Sequence, residues 1–316
     1  MDMPKLLDGR LKLRHLVLVD ALTRQGSVVG AAAALHVTQP VATRSLHDLE
    51  SILGVSLYER GPRGITPTIF GEAFTTHARA VLAQLNQAGR HVVELADADR
   101  GTVVVGTHLA GSNVLLPVAI ARLKAERPLL TVVVREGTPE VLLVELEAGR
   151  IDLVVGRLTA PTDESAVRST LYAESVELVT RSDHSLSDRA TLTLDDLREY
   201  PWILPGTETA LRRELEEFFA RNGMRLPQNR VEATSFLTVR RLLLETDMIA
   251  VLPSLIARDD TRLTTLPVTL DPIGHSVGIT TSAGRTLSPS AEALVRHLRQ
   301  SSVEMIPATG DAAPPI

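Results

Sequence analysis

Two hydrophobic rhythms divide the chain: a helical period over the first hundred residues, then a strand–helix alternation. From Lys12 to Arg24, Leu13, Leu16, Val17 and Ala21 fall at helical spacing and predict one amphipathic helix. Gly26-Ser27 ends it and opens a second, Ala-rich helix in "SVVGAAAALH", since Ser is a favoured N-cap. His36-Val37 makes a tight turn. Thr38 then caps a third helix, with Pro40 in its first turn, where no intrahelical N–H is required. Ala42, Leu46, Leu49 and Leu53 form its apolar stripe. Gln39, Thr43 and His47 lie on the opposite side, with Arg44 beside them. "SLYER", "GPRG" and "GITPT" read as a hairpin with Arg60 at its base and Arg63 at its tip. Phe74, Ala78, Val81, Leu85, Ala88, Val92 and Leu95 follow at alternating spacings of four and three, a heptad seam of roughly 30 Å. A narrow stripe on one long helix predicts a paired dimerisation helix; packing on its own domain is the other reading.

From Gly101 onward, β-branched runs ("TVVVGT", "LLTVVVREG", "IDLVVGRL") alternate with amphipathic segments ("NVLLPVAIARLKAERP", "TPEVLLVELEAGR"), which predicts parallel strands of an α/β sheet. After Leu158 the chain reads as a second lobe with "VELVT", "PWILPG", "ETALRRELEEFFARNG" and "RVEATSFLTVRRLLLETDMIAVLP". "HSVGITTS" and the helix Pro289–Gln300 lead back to the first. The expected plan is 1–67 for an α-rich winged helical domain and 68–100 for the linker helix. It continues with 101–303 for two α/β lobes (lobe I about 101–160 and 273–303, lobe II about 161–272) and a 304–316 tail of disordered composition.

Composition narrows the classes. No Cys is present, so disulfides and thiolate metal sites are excluded, in keeping with a reducing cytoplasm. The N-terminal stretch has no apolar signal-peptide core, and no apolar run approaches the ~20 residues of a membrane helix. Net charge is -5, and residues 1–100 hold eleven Lys/Arg against ten Asp/Glu, so charge alone does not point to nucleic acid. Pattern does. Two helices joined by a short turn, the second polar on its outer face, make a helix-turn-helix. In that motif the start of the second helix meets base edges in the major groove. Gln can pair with adenine, Arg with guanine, and Thr with either. The free N–H groups at Thr38 suit a phosphate. A capped surface helix with a solvated face, and a generic hairpin with exposed Arg, are the competing readings of the same residues.

Taken in order, "GSVVGAAAALHVTQPVATRSLHDLESILGVSLYER", the Arg-Gly wing, "TPT" and the long helix resemble a LysR-type transcriptional regulator from about Leu11 to Gln300. Val28 stands where that family usually has an aromatic residue, and Thr38 and Thr43 where it often has Ser. The resemblance implies DNA contacts from Ser27, Thr38, Gln39, Pro40, Thr43, Arg44, His47, Arg60 and Arg63. It implies a periplasmic-binding-protein-like, two-lobed effector domain and a homotetramer built as a dimer of dimers on double-stranded promoter DNA. "ERGPRGITPT" and "VREGT" look most like the subgroup regulating sugar-binding-protein and aromatic-catabolism genes.

Open α/β sheets bind ligands beyond the C-terminal ends of their strands. Local similarity to the family puts Ala110, Gly111 and Ser112 in the first effector-contacting loop and Thr138 at the capped helix start after the second strand. Arg157 follows the third strand and can pair with a carboxylate, or serve as a structural ion pair between lobes. Pro205-Gly206-Thr207 and Thr234-Ser235-Phe236 precede helices of the second lobe. Each hydroxyl here also reads as a plain helix cap; convergence on one cleft is what favours a small polar or anionic effector. No phosphate loop, nucleophile elbow or metal-spaced His cluster is present, so neither enzymatic chemistry nor a cofactor is expected. The rival is an α/β solute-binding or enzymatic protein with an N-terminal helical oligomerisation module.

Overall fold

A computed structural model describes residues 6, 8–61, 64–96, 101–108, 112–158, 165–271 and 273–305. Two compact units emerge, Met1–Ala96 with Leu143–Ile151, and Asp97–Leu142 with Asp152–Ile316.

In the first unit, α1 (Leu13–Gln25), α2 (Val28–Ala34) and α3 (Gln39–Leu53) precede a hairpin of β1 (Tyr58–Gly61) and β2 (Gly64–Pro67), then the long α4 (Ile69–Ala96). α1 is the hub, touching α2, α3 and α4. That explains a difference from the expected single stripe: Leu18, Val19 and Leu22 are buried, while Leu13 and Val17 are exposed. A helix wrapped on three sides buries more than one face. The Ser27 hydroxyl accepts from Gly30 N–H at 3.0 Å and starts α2. His36, at φ 54, turns the chain toward α3 in the left-handed region that His tolerates better than most residues. Ala42, Leu46 and Leu49 of α3 pack with Leu22, Ala31 and Leu57.

The hairpin is tied back at three points. Ile65 N–H donates to Gly26 O at 2.9 Å, Leu57 N–H to Glu50 Oε1 at 2.7 Å, and Thr68 N–H to Leu57 O at 2.9 Å. Gly71 in the first turn of α4 lies so close that a Cβ there would collide with Leu57 O. Asp20 on α1, nearly buried, binds Arg24 of its own helix and Arg79 Nε of α4 at 2.8 Å. Burial raises its carboxyl pKa, but the two guanidinium partners lower it further, so it sits below the usual carboxylate range.

The expected heptad seam divides in two. Phe74 and Ala78 pack inward on the unit's own core, while Val81, Leu85, Ala88 and Val92 are exposed. The Leu95 side chain and residues 97–100 lie outside the described residues.

The second unit is built on one nine-stranded sheet. β3 (Thr102–Thr107), α5 (Ser112–Glu126), β4 (Thr131–Glu136), α6 (Pro139–Glu147, grouped with the first unit from Leu143 on) and β5 (Leu153–Arg157) give three parallel strands in the order β4-β3-β5. β6 (Ala166–Arg181) follows, then β7 (Trp202–Leu204), α7 (Ala210–Arg221), β8 (Arg230–Glu232), α8 (Phe236–Glu245) and β9 (Ile249–Pro253). α9 (Ser254–Asp259), β10 (Leu263–Thr265), β11 (Gly274–Ser282) and α10 (Pro289–Met305) come next. The full order is β4-β3-β5-β11-β6-β9-β7-β8, with β10 on β6.

Of three buried clusters among the described residues of the second unit, two mark its lobes. One joins Val103, Leu115, Val155, Tyr172, Ile279 and Leu294, and the other Val176, Trp202, Leu215, Phe219 and Ile249. Tyr172 and Val176 lie on the same strand, so the chain changes lobes within β6 and not at residue 161. The strand is continuous because its first half pairs with β11 and its second half with β9 and β10. The expected tail of 304–316 begins too early, because α10 runs on through Glu304 and Met305; residues 306–316 lie outside the described residues.

Two outcomes follow for stability. Asp20→Asn lowers the unfolding free energy at pH 7 by about 1–3 kcal/mol, since Arg79 loses its charged acceptor. Because the folded pKa is depressed, the deficit is full above about pH 4, the unfolded value, and closes as pH falls through the folded one; chemical denaturation at pH 7 and pH 3.5 checks it. Gly71→Ala costs about 1–3 kcal/mol by forcing the hairpin off α4, read as a lowered midpoint in the same assay.

Candidate nucleic-acid interface and effector site

The outer side of α3 carries residues that do no folding work. Gln39, Pro40, Arg44 and His47 are exposed and Thr43 is half-buried. None of the five makes a side-chain hydrogen bond or ion pair among the described residues, whereas Ala42, Leu46 and Leu49 on the reverse side are buried. Thr38 holds the N-cap position, but its hydroxyl makes no capping hydrogen bond, contrary to the cap expected of it. Its carbonyl accepts from Val41 and Ala42 instead, leaving the exposed hydroxyl uncommitted at the helix's positive end. Ser27, by contrast, is engaged as the cap of α2. Arg60 is exposed on β1 opposite Ile65. Arg63 lies outside the described residues.

In the second unit, Ala110, Gly111 and the Ser112 side chain lie outside the described residues; the Ser112 backbone begins α5. Thr138 is exposed before α6. Its hydroxyl lies 3.5 Å from Val141 N–H and bonds the Glu140 carboxylate, which helps hold Glu140 below its usual pKa after that residue's own backbone N–H.

The loop before α7 differs from expectation in one respect. Thr209, and not Thr207, is the cap, accepting from Arg212 N–H at 3.2 Å and donating to Gly206 O at 2.8 Å. Arg212 is a missed residue that fixes this loop. Its buried guanidinium donates to Pro205 O at 3.1 Å, Glu216 at 2.8 Å and Glu232 at 3.0 Å. Thr234 donates to Glu208 Oε1 at 2.8 Å, which joins the two predicted loops of this lobe. Ser235 begins α8 without a side-chain cap bond, and Phe236 packs on a separate buried cluster that includes Val239, Leu243 and Ala250.

Arg157 ends β5 with its side chain only 7% exposed, and faces Glu214 of α7 at 3.9 Å. His108 lies against Gly156, its Nε2 2.6 Å from where a Cβ there would be. Burial, aided by the Arg157 charge, takes that histidine down to about 4, so it is neutral. Around Arg157 stand groups that sequence reasoning missed. Glu174 on β6 is 2% exposed, and its Oε1 accepts from the Tyr172 hydroxyl at 3.2 Å. Burial pushes Glu174 up to about 7 against the pull of Arg157. His275 on β11, opposite Glu174 in the ladder, is carried down to about 4 by burial and then by Arg157. Its Nε2 is 2.9 Å from Glu214 Oε2 but not aligned for a hydrogen bond. The signal available in sequence was the alternation of β6: Tyr172, Glu174 and Val176 share the inward face, and a Glu there is out of place.

No group of His, Asp or Glu among the described residues could hold a metal ion, and no described helix is long and apolar enough to cross a membrane.

Residues 13–72 match the model of the bacterial regulatory helix-turn-helix protein, lysR family, and residues 96–302 the LysR substrate binding domain. The chain is 34% identical over 304 residues to the HTH-type transcriptional regulator PcaQ of Agrobacterium fabrum, covering 95% of this chain and 98% of that protein. It is 32% identical to GbpR of Azospirillum brasilense, covering 94% and 88%. Among solved structures, a full-length OxyR variant from Pseudomonas aeruginosa superposes with TM-score 0.65 at 22% identity, over 92% of this chain and 98% of that one. Full-length CbnR complexed with its target DNA gives 0.52 at 24%, over 92% and 100%. Both share the fold. These relatives are regulators and not enzymes, which removes the solute-binding or enzymatic rival. With a DNA-binding helix-turn-helix and a domain that implies a small-molecule effector, this chain belongs to the LysR family of transcriptional regulators.

Proposed function

We propose that the outer side of α3 reads the operator, with Gln39, Thr43, Arg44 and His47 at base edges and Ser27, Thr38, Pro40, Arg60 and Arg63 at or near the phosphates. The observation that carries this is an exposed polar face without intramolecular partners on a helix whose other face is buried at Ala42, Leu46 and Leu49 and half-buried at Leu53. Thr38 supports it, since the hydroxyl and free N–H groups at a helix start suit a phosphate oxygen. The working division is 1–67 for DNA binding, 68–100 for the linker helix and 101–303 for effector binding, with the lobe change inside β6. The exposed half of the seam, Val81, Leu85 and Val92, pairs two chains, so two reading heads meet a pseudo-palindromic site, and two such dimers make a tetramer. Work on promoter DNA suits a cytoplasmic protein. A small polar or anionic effector sits at Thr138, Arg157, the loops 110–112 and 205–207, and 234–236. It acts by binding one assembly state better than another.

Footprinting on DNA upstream of the gene and its neighbours, across salt concentrations, tests the regulator reading. A protected dyad whose affinity falls with salt is expected; no protection under any condition overturns it. Arg44→Ala weakens specific binding by about tenfold to a hundredfold, the worth of one bidentate base contact at about 1–3 kcal/mol. Oligomer size, measured by light scattering, stays unchanged; loss of assembly removes Arg44 from the groove. Thr138→Val moves the effector dose response at least tenfold while Thr138→Ser, which keeps the hydroxyl, restores it. An unaltered response removes Thr138 from the site.

A further inference from the structure

Arg157, Glu174, Tyr172, Glu214 and His275 come together from β5, β6, α7 and β11, and apart from the Tyr172–Glu174 hydrogen bond their polar atoms do not satisfy one another. Nη1 of Arg157 faces Glu214, at the long end of an ion pair. Nε and Nη2, which form one side edge of the planar guanidinium, are buried with no hydrogen-bond partner among the described residues. Glu174 Oε2 and Glu214 Oε2 are buried in the same condition. Unsatisfied charged donors are costly in a protein interior, so a group that accepts from both stabilises the cluster. The Nε/Nη2 edge presents two parallel N–H donors at the spacing of the two oxygens of a carboxylate.

We infer that the Nε/Nη2 edge of Arg157 seats the carboxylate of a small organic acid, and that Glu174 stands beside it as the neutral acid. This rests on the effector-domain reading above and names the ligand class for it.

Charge decides the second half. With Glu174 and Glu214 both ionised, the cluster already carries one excess negative charge over Arg157, and an incoming anion is repelled. With a proton on Glu174 the cluster is neutral, and its O–H supplies a donor at Oε2. The groups around Glu174 leave the proton there. Tyr172 on its own strand is pushed further into its neutral form by burial and by Glu174, and His275 across the ladder is neutral. His108 beside Arg157 is neutral, and Glu214 is itself raised by burial. Arg157, and after it the hydrogen bond from the Tyr172 hydroxyl, pull the other way, and burial outweighs both. A bound anion holds the proton more tightly, so binding above neutral pH takes up a proton at Glu174 and weakens as pH rises, toward tenfold per unit.

The experiment is calorimetric titration of the full-length protein with acetate, propionate and benzoate, each paired with its primary amide, between pH 6 and pH 8.5. At least one acid binds at pH 6 while its amide does not, and its affinity falls steeply above pH 7. Arg157→Met lowers that affinity at least tenfold. Arg157→Lys, which keeps the charge and loses the two-donor edge, does the same if the Met variant fails to fold. Glu174→Gln retains binding and flattens the pH profile. No acid binding at pH 6, amides binding as well as acids, full affinity in Arg157→Lys, or an unchanged pH profile in Glu174→Gln each overturns the inference. Those results leave the regulator reading intact, because it stands on the promoter footprint of the unaltered protein; a failed footprint leaves the carboxylate seat standing.

Discussion

The antiparallel ladder between β6 and β11 is the constraint on which the second unit depends. β6 carries residues of both lobes on a continuous backbone, and the register of the ladder decides which side chains meet. His275 falls opposite Glu174, and Val277 pairs with Tyr172 on one side and Arg157 on the other. Because side chains alternate across a sheet, a slip of one residue would move Glu174 to the outer face and separate it from Arg157. Both ends of the ladder are held by packing, Tyr172 and Ile279 in the first core and Val176 and Ile273 in the second. A buried charge cluster is tolerated here because two hydrophobic cores fix the backbone beneath it.

The first unit solves a different problem, holding a small hairpin without a core of its own. β1 and β2 have four residues each and little apolar surface. Their position comes from borrowed contacts. Glu50 of α3 caps the chain at Leu57, Gly26 accepts from Ile65, and the Tyr58 hydroxyl reaches Val19 O at 3.0 Å and Thr23 at 2.8 Å. Asp20 then locks α1 to α4. The hairpin's position is therefore set by the same helices that present α3.

Much of this was legible in the sequence because it is local. Gly26-Ser27, Thr38-Pro40 and the β-branched runs each mark an element boundary within a few residues. What stayed hidden depends on distance. Glu174 and His275 are about a hundred residues apart, and only the return of β11 joins them. Glu214 sits in a helix so rich in charge that no single carboxylate stands out. Thr207 and Thr209 flank Glu208, and the pattern does not say which of them caps α7. The seam of α4 is periodic throughout, yet Phe74 and Ala78 serve the unit's own core, because periodicity reveals an apolar face and not what covers it. The α1 stripe held at Leu16 and Ala21 and not at Leu13 and Val17, since one helical face cannot report burial on three sides.

The outer face of α3 has a consequence for how such proteins diverge. Gln39, Arg44 and His47 hold nothing else in place, so exchanging them disturbs the fold by no more than an exposed substitution ordinarily does, within about 0.5 kcal/mol. The left-handed turn at His36 and the buried stripe keep the angle of the helix whatever its outer residues are. On the proposed reading of α3, recognition is thereby separable from foldability. A duplicated copy of the gene can explore new operators one residue at a time without passing through unfolded intermediates, and lineages built this way can keep a common scaffold long after their binding sites have ceased to resemble one another.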